Sequence, residues 1–274
     1  MTEFPAKTAL VLDWRKLLEK LSTRCCTPVG EERARELELL TERELIAGRL
    51  AEVKEAGALA DAGESVPLDG FEDLRGHLDR ASRHAILSAE ELIGTGRTVA
   101  AARRLAAFFS ERTETAPRLA RHALDRSAAE ANQLRDLEEL LLSCFEEDGK
   151  LADRASPTLA GLRAQARNLK ERLSKTIEDL IERYADVLQD RYFTLRDERY
   201  VLPVRTDAHR RVHGIVHGHS GSGQTIYVEP REITTVGNEL MITRTEVARE
   251  EQRVLTELSE EVRQRIPAIT SALE

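Results

Sequence analysis

Residues 157–205 read PTLAGLRAQARNLKERLSKTIEDLIERYADVLQDRYFTLRDERYVLPVR. Leu159, Leu162, Ala166, Leu169, Leu173, Ile177, Leu180, Tyr184 and Val187 recur at intervals of three or four, the period of one helical face. Ser156-Pro157 supplies an N-cap and a first-turn proline. The pattern predicts one helix of roughly 30 residues, about 45 Å long at 1.5 Å per residue. Its remaining positions are charged, so the narrow apolar stripe needs a partner. At Tyr192 the period changes. Tyr192–Arg196 and Arg199–Arg205 look like short strands separated by Asp197-Glu198, and Pro203 inside the second predicts an edge or a bulge.

Downstream, His213–His217 and Thr225–Val228 read as two more strands around a Gly/Ser loop. From Ile233 the helical period returns through Val247, Val254, Leu258, Val262, Ile266 and Ile269. The order is therefore long helix out, small β module, long helix back, with the two helices burying their stripes against each other. Upstream, Leu10, Trp14, Leu17 and Leu21 mark a helical face. Thr27-Pro28 breaks that helix and starts the next. Leu45, Leu50 and Val53 continue helical character toward a loop at Gly63–Gly70. Ser88 with Glu91 forms a capping-box pattern before Leu92, Val99, Ala106 and Phe109. Leu134, Leu137, Leu141, Cys144 and Phe145 mark a further helix, and Asp148-Gly149 a turn. The expected fold is mainly α: a helical core (1–150), an ascending lever helix (151–190), a β-rich clamp (191–232) and a returning lever helix (233–274). The helical pattern runs to Leu273 without a capping glycine, so we expect the protein to continue past Glu274.

Composition bounds the function. With 33% charged residues and only short apolar runs, the chain offers no stretch of the roughly 20 apolar residues a membrane span needs. No secretory leader pattern opens it. Cys25, Cys26 and Cys144 are a poor disulfide framework, lack the spacing of a zinc set, and read as buried free thiols in a reducing cytoplasm. The net charge of −8 excludes a uniformly basic coat for nucleic acid. The charge is uneven, however. Residues 191–231 hold seven arginines, no lysine and four acids, a basic island on an acidic chain.

That island carries the candidate site. Arg196, Arg199, Arg205, Arg210 and Arg211 offer planar forks suited to phosphate, interleaved with Tyr192, Phe193, Tyr200 and Tyr227, which we read as core of the β module. A solvated strand face paired to local acids explains the same arginines. Ser220-Gly221-Ser222-Gly223-Gln224-Thr225 fits a phosphate cradle or a plain hairpin loop. It is not a P-loop, since the only Gly-Lys pair, Gly149-Lys150, lacks the surrounding motif. Alternation places His213, His217 and His219 on one side of a strand, where a metal nuclease site is conceivable and surface histidines are the plainer reading. No nucleophile, base and oxyanion donor occur in a recognisable order. We therefore expect no catalytic residue and no metal in this chain. The nucleic-acid-binding set is Arg196, Arg199, Arg205, Arg210, Arg211, His217, His219, Ser220, Ser222 and Gln224.

Residues 196–204, RDERYVLPV, resemble a signature of the second bacterial MutS family. Gly214–His217 and Ser220–Pro230 resemble that family's following motif, and Asn238-Glu239-Leu240 the one after it. Asp153–Leu159 resembles the segment before its lever helix, and Leu10–Leu21 its opening helix. Gly218-His219, Gly221 and Gly237 depart from the pattern. The resemblance implies the lever-and-clamp region of an ATP-driven homodimer, beginning without a mismatch-reading domain. An ATPase domain binding ATP and magnesium and an Smr nuclease domain are implied beyond Glu274, with no cofactor in this chain. The implied partners are branched or duplex DNA in recombination suppression, or rRNA in collided ribosomes. A structural module that contacts the ribosome through protein is the alternative.

Overall fold

The computed structural model describes residues 6–38, 40–124 and 128–273. Contacts divide the chain into two units. One runs to Ala152 and takes in the segment from Leu255 onward; the other is Asp153–Val254. Among the described residues there are eleven α-helices and one four-stranded antiparallel sheet, the mainly α fold with a small β insertion.

The first unit is helical: α1 (Ala6–Val11), α2 (Trp14–Ser22), α3 (Pro28–Arg35), α4 (Arg43–Asp61), α5 (Arg75–Ser82), α6 (Ala89–Ser110), α7 (Pro117–Leu124) and α8 (Ala128–Ser143). The end of α10 (Arg231–Gln264) and α11 (Ile266–Leu273) complete it. Capping follows the sequence. Thr27 accepts from the Gly30 N–H at the start of α3, and Ser88 with Glu91 forms a complete capping box on α6. The core gathers where α6, α8 and α11 meet, with Leu92, Val99, Leu137, Leu141 and Ile269 buried.

Two expectations fail at the N-terminal end. The stripe Leu10, Leu17 and Leu21 is exposed, while Leu18 and Ser22 on another side of α2 are buried. On α4, Leu45, Leu50 and Val53 are exposed as well. The side of α4 that packs instead carries Leu59, buried with Phe109, Ala116 and Ala120. Glu55 on that helix accepts from the N–H groups of Arg118 and Leu119 at 3.0 Å each. These N–H groups open α7 and have no partner within their own helix, so a carboxylate there does the work of a cap. No disulfide joins the three cysteines, but Cys26 is exposed and Cys25 half-buried; of the three, Cys144 is buried.

The second unit begins with a 3₁₀ turn, Asp153–Ala155, and α9 (Pro157–Arg183). Ser156 accepts from the Leu159 N–H and donates to Glu250 Oε1 at 2.5 Å. Arg163 pairs with Glu251 at 2.7 Å, and Arg183 with Glu232 at 3.7 Å. Those contacts set α9 and α10 antiparallel within the unit. Leu169, Leu173, Ile177 and Leu180 form one core with Ile233 and Leu240 of α10 and with Leu202, Val204, Ile226 and Val228 of the sheet. Each such leucine or isoleucine contributes about 1.5–3 kcal/mol when fully buried. Val187, expected on the helix, lies beyond its end and is buried against the sheet.

The sheet comprises β1 (Thr194–Arg196), β2 (Arg199–Arg205), β3 (Gly214–His219) and β4 (Thr225–Pro230), in the order β1-β2-β4-β3. Pro203 is not on an outer strand. It sits opposite Tyr227 on β4. On its other flank β1 stops at the partner of Val201, and Gln189 donates to the Pro203 carbonyl at 2.8 Å. Arg205 N–H donates to the Val187 carbonyl beside it, so the side of Pro203 that lacks an N–H faces the 187–189 segment and the β2–β4 ladder loses no bond. Gly214 is required by close approach. A Cβ there would meet the Glu229 carbonyl oxygen at 2.0 Å.

Candidate nucleic-acid interface

The five arginines of the basic island are held in different ways. Arg199 is structural. It donates to Asn238 Oδ1 on α10 and lies 3.5 Å from Glu229 Oε1. Glu229 is the hub of this arrangement. Its side chain is 3% exposed, and its other oxygen accepts from His217 Nε2 at 2.7 Å. One buried carboxylate thus ties β2, β3, β4 and α10 together. Burying it unpaired costs several kcal/mol, which accounts for two cationic or donor side chains converging on it.

This corrects two expectations. Arg199 and His217 are committed to the protein's own carboxylate rather than presented to a phosphate. The histidine row also fails. The ladder slips between Val216 and Gly218, which breaks the alternation that aligned His213, His217 and His219. Among the described residues no group of three His, Cys, Asp or Glu side chains could hold a metal ion.

The other arginines are solvent-facing. Arg205 pairs with Asp207 at 3.3 Å and Arg211 with Asp186 at 2.7 Å, all four side chains being well exposed. Exposed pairs of this kind contribute about 0–1 kcal/mol, so a phosphate can displace the acid. Arg210 is exposed and, among the described residues, no carboxylate is paired with it. Arg196 is exposed too, and its guanidinium carbon lies 3.6 Å from the centroid of the Tyr227 ring. Tyr227 was expected only as core. Nothing in the spacing of Arg196 and Tyr227 shows that they meet.

The loop between β3 and β4 closes on itself. Thr225 N–H donates to Ser220 Oγ at 3.1 Å, and Ser220 Oγ lies 3.3 Å from Ser222 Oγ. Gly223 N–H donates to the Ser220 carbonyl at 2.9 Å. Gly223 has φ 70°, a conformation that favours glycine. Its carbonyl accepts from Thr206 Oγ1 at 2.7 Å, which pins the loop to the β2–β3 connection. His219, Ser222 and Gln224 remain exposed and Ser220 half-buried. The hairpin β1–β2 is tighter and less relaxed. Asp197 and Glu198 have φ 47° and 62°, left-handed values at both central turn positions. Asparagine and glycine are the usual occupants there.

No described helix is long and apolar enough to cross a membrane. No protein-family model matches the chain. Curated relatives do. The chain is 39% identical over 258 residues to "Endonuclease MutS2" of Anaeromyxobacter sp. (strain Fw109-5), covering 92% of this chain and 31% of the relative. It is 33% identical over 257 residues to the protein of the same name from Synechocystis sp., covering 93% and 30%. It is 33% identical over 269 residues to that of Symbiobacterium thermophilum, covering 98% and 33%. The chain thus spans about a third of the length of the curated relatives it matches.

Proposed function

From the premise that this chain is a MutS2-type sequence over the length it spans, we propose that residues 194–230 form a nucleic-acid grip carried on the antiparallel pair α9 and α10. The observation that carries the reading is the join between β4 and α10. The strand ends at Pro230 and the helix starts at Arg231, with no loop between them. A load on the arginine-bearing sheet therefore acts directly on a 34-residue helix. The Glu229 hub ties that helix, through Asn238, to β2.

In this reading Arg205, Arg210 and Arg211 contact phosphates, with Ser222 and Gln224 on the adjacent loop and His219 at the end of β3 as polar neighbours. The target is DNA, branched or duplex; rRNA presents the same phosphates and is the competing target. The chain binds and transmits, and the chemistry named for its relatives belongs to other parts of a longer, dimeric protein. ATP and magnesium belong there as well, because no Walker-type loop occurs in this sequence.

Binding measured across a salt series tests this. Affinity for branched DNA should fall steeply with salt, as counterions released from neutralised phosphates are recaptured. Reversing Arg205, Arg210 and Arg211 to Glu should abolish binding and flatten the salt slope. Unchanged affinity in that variant overturns the reading. A collided-ribosome pull-down run beside it tells rRNA from DNA.

A further inference from the structure

We infer that Arg196 and Tyr227 form a stacking site for one unpaired nucleobase, which gives the grip a preference for single-stranded segments; this rests on the nucleic-acid reading above. The Arg196 guanidinium carbon lies 3.6 Å above the Tyr227 ring, the separation of two flat groups in contact. Tyr227 is half-buried in β4, so strand neighbours hold the ring in place, while Arg196 is exposed. The guanidinium therefore sits against the ring while the side chain stays open to solvent.

The placement is selective. Asp197 and Glu198 follow Arg196 directly, yet among the described residues Arg196 is paired with no carboxylate. Arg199, Arg205 and Arg211 all have acid partners. The β1–β2 turn that positions Arg196 holds two non-glycine residues in left-handed backbone. A flat cation held against an aromatic ring and open to solvent suits a planar base. Bases stack on aromatic rings and on arginine planes alike. The N–H edge can at the same time reach the phosphate beside that base.

A paired base cannot use such a surface. In a duplex each base is covered above and below by its neighbours and shows only its edges in the grooves. An unpaired base at a gap, flap or branch shows its face. The site therefore reads strandedness and not sequence, because every base has such a face.

The test uses the full 274-residue chain, short DNA and RNA strands carrying one 2-aminopurine, and the DNA duplex of the same sequence. Binding is followed by anisotropy, and stacking by quenching of the 2-aminopurine emission. We expect binding to strands about tenfold tighter than to duplex, the scale of one stacked base, with the emission quenched in the DNA strand, the RNA strand or both. Arg196→Lys keeps the charge and removes the plane. It should lose the strand preference and the quenching. Tyr227→Leu, verified as folded by its thermal melt, should do the same. Equal affinity for strand and duplex, or quenching that survives Arg196→Lys, overturns the stacking site and leaves the grip standing. Absence of binding to every nucleic acid overturns the grip itself, and the stacking site with it.

Discussion

Helices α2 and α9 carry the same signal and meet opposite fates. In the first, Leu10, Trp14, Leu17 and Leu21 lead into and along α2 at helical spacing; in the second, Leu169, Leu173, Ile177 and Leu180 do so along α9. The α9 stripe is buried against α10 and the sheet. Leu17 and Leu21 of α2 are 54% and 43% exposed, and Leu18 beside them is buried instead. Periodicity states that a helix has an apolar face. It does not state that anything within the same chain covers it. What separates the two cases is the partner: α9 is answered by a second long stripe at matching register, and among the described residues α2 is not.

The largest effect that can break this comparison comes from truncation on each helix. Leu173→Ala should destabilise the protein by about 3–4 kcal/mol, the lost transfer energy plus a cavity. Leu17→Ala should move it by less than about 0.5 kcal/mol, as surface changes do. Denaturant unfolding measures both, and equal losses in the two variants remove the distinction. Next comes the polar hub of the second unit. Glu229→Ala leaves Arg199 and His217 without the carboxylate they share, and should cost about 3 kcal/mol. A thermal melt that matches the parent protein shows that the hub is dispensable.

A smaller effect, of opposite sign, is expected at the β1–β2 turn. Glu198→Gly should raise stability by about 1 kcal/mol, since a left-handed residue with a Cβ costs roughly 1–2 kcal/mol that glycine avoids. A lower midpoint in urea contradicts this. The last test concerns the tie between α9 and α10 in acid. Arg253, and after it Ser156, hold the Glu250 carboxyl down to about 2. A carboxyl depressed in the folded state stabilises it above the ordinary carboxylate range, and that contribution is lost as pH falls toward 2. Glu250→Gln should therefore flatten the acid limb of the stability–pH curve between those limits. A curve that keeps its slope shows that other carboxylates set it.

Much of the fold was legible in the sequence. The change of period at Tyr192 marks where helix gives way to strand, and β2 spans the predicted Arg199–Arg205. Ser156, Thr27 and Ser88 announce their helix starts because a cap is a local device, complete within a few residues. The candidate site was legible only as a basic island. Which arginines bind outward and which are spent inward depends on contacts between residues far apart in the chain. Arg199 with Asn238 and Arg196 with Tyr227 are such pairs. His217 was misplaced in the row because the strand slips between Val216 and Gly218, and Gly218, with φ 146°, is the local sequence signal of that slip.

By itself the sequence determined the element types, the caps, the antiparallel pair with its β insertion and the family resemblance that the curated relatives support. Those properties follow from short-range periodicity and from motifs in order. Only the tertiary structure decided which apolar stripes are buried, that Pro203 turns the side lacking an N–H away from β4, and that the basic island divides into a buried hub and an open face. Burial and charge pairing are settled by what lies across from a side chain in space, and the order of residues along the chain does not contain that neighbour.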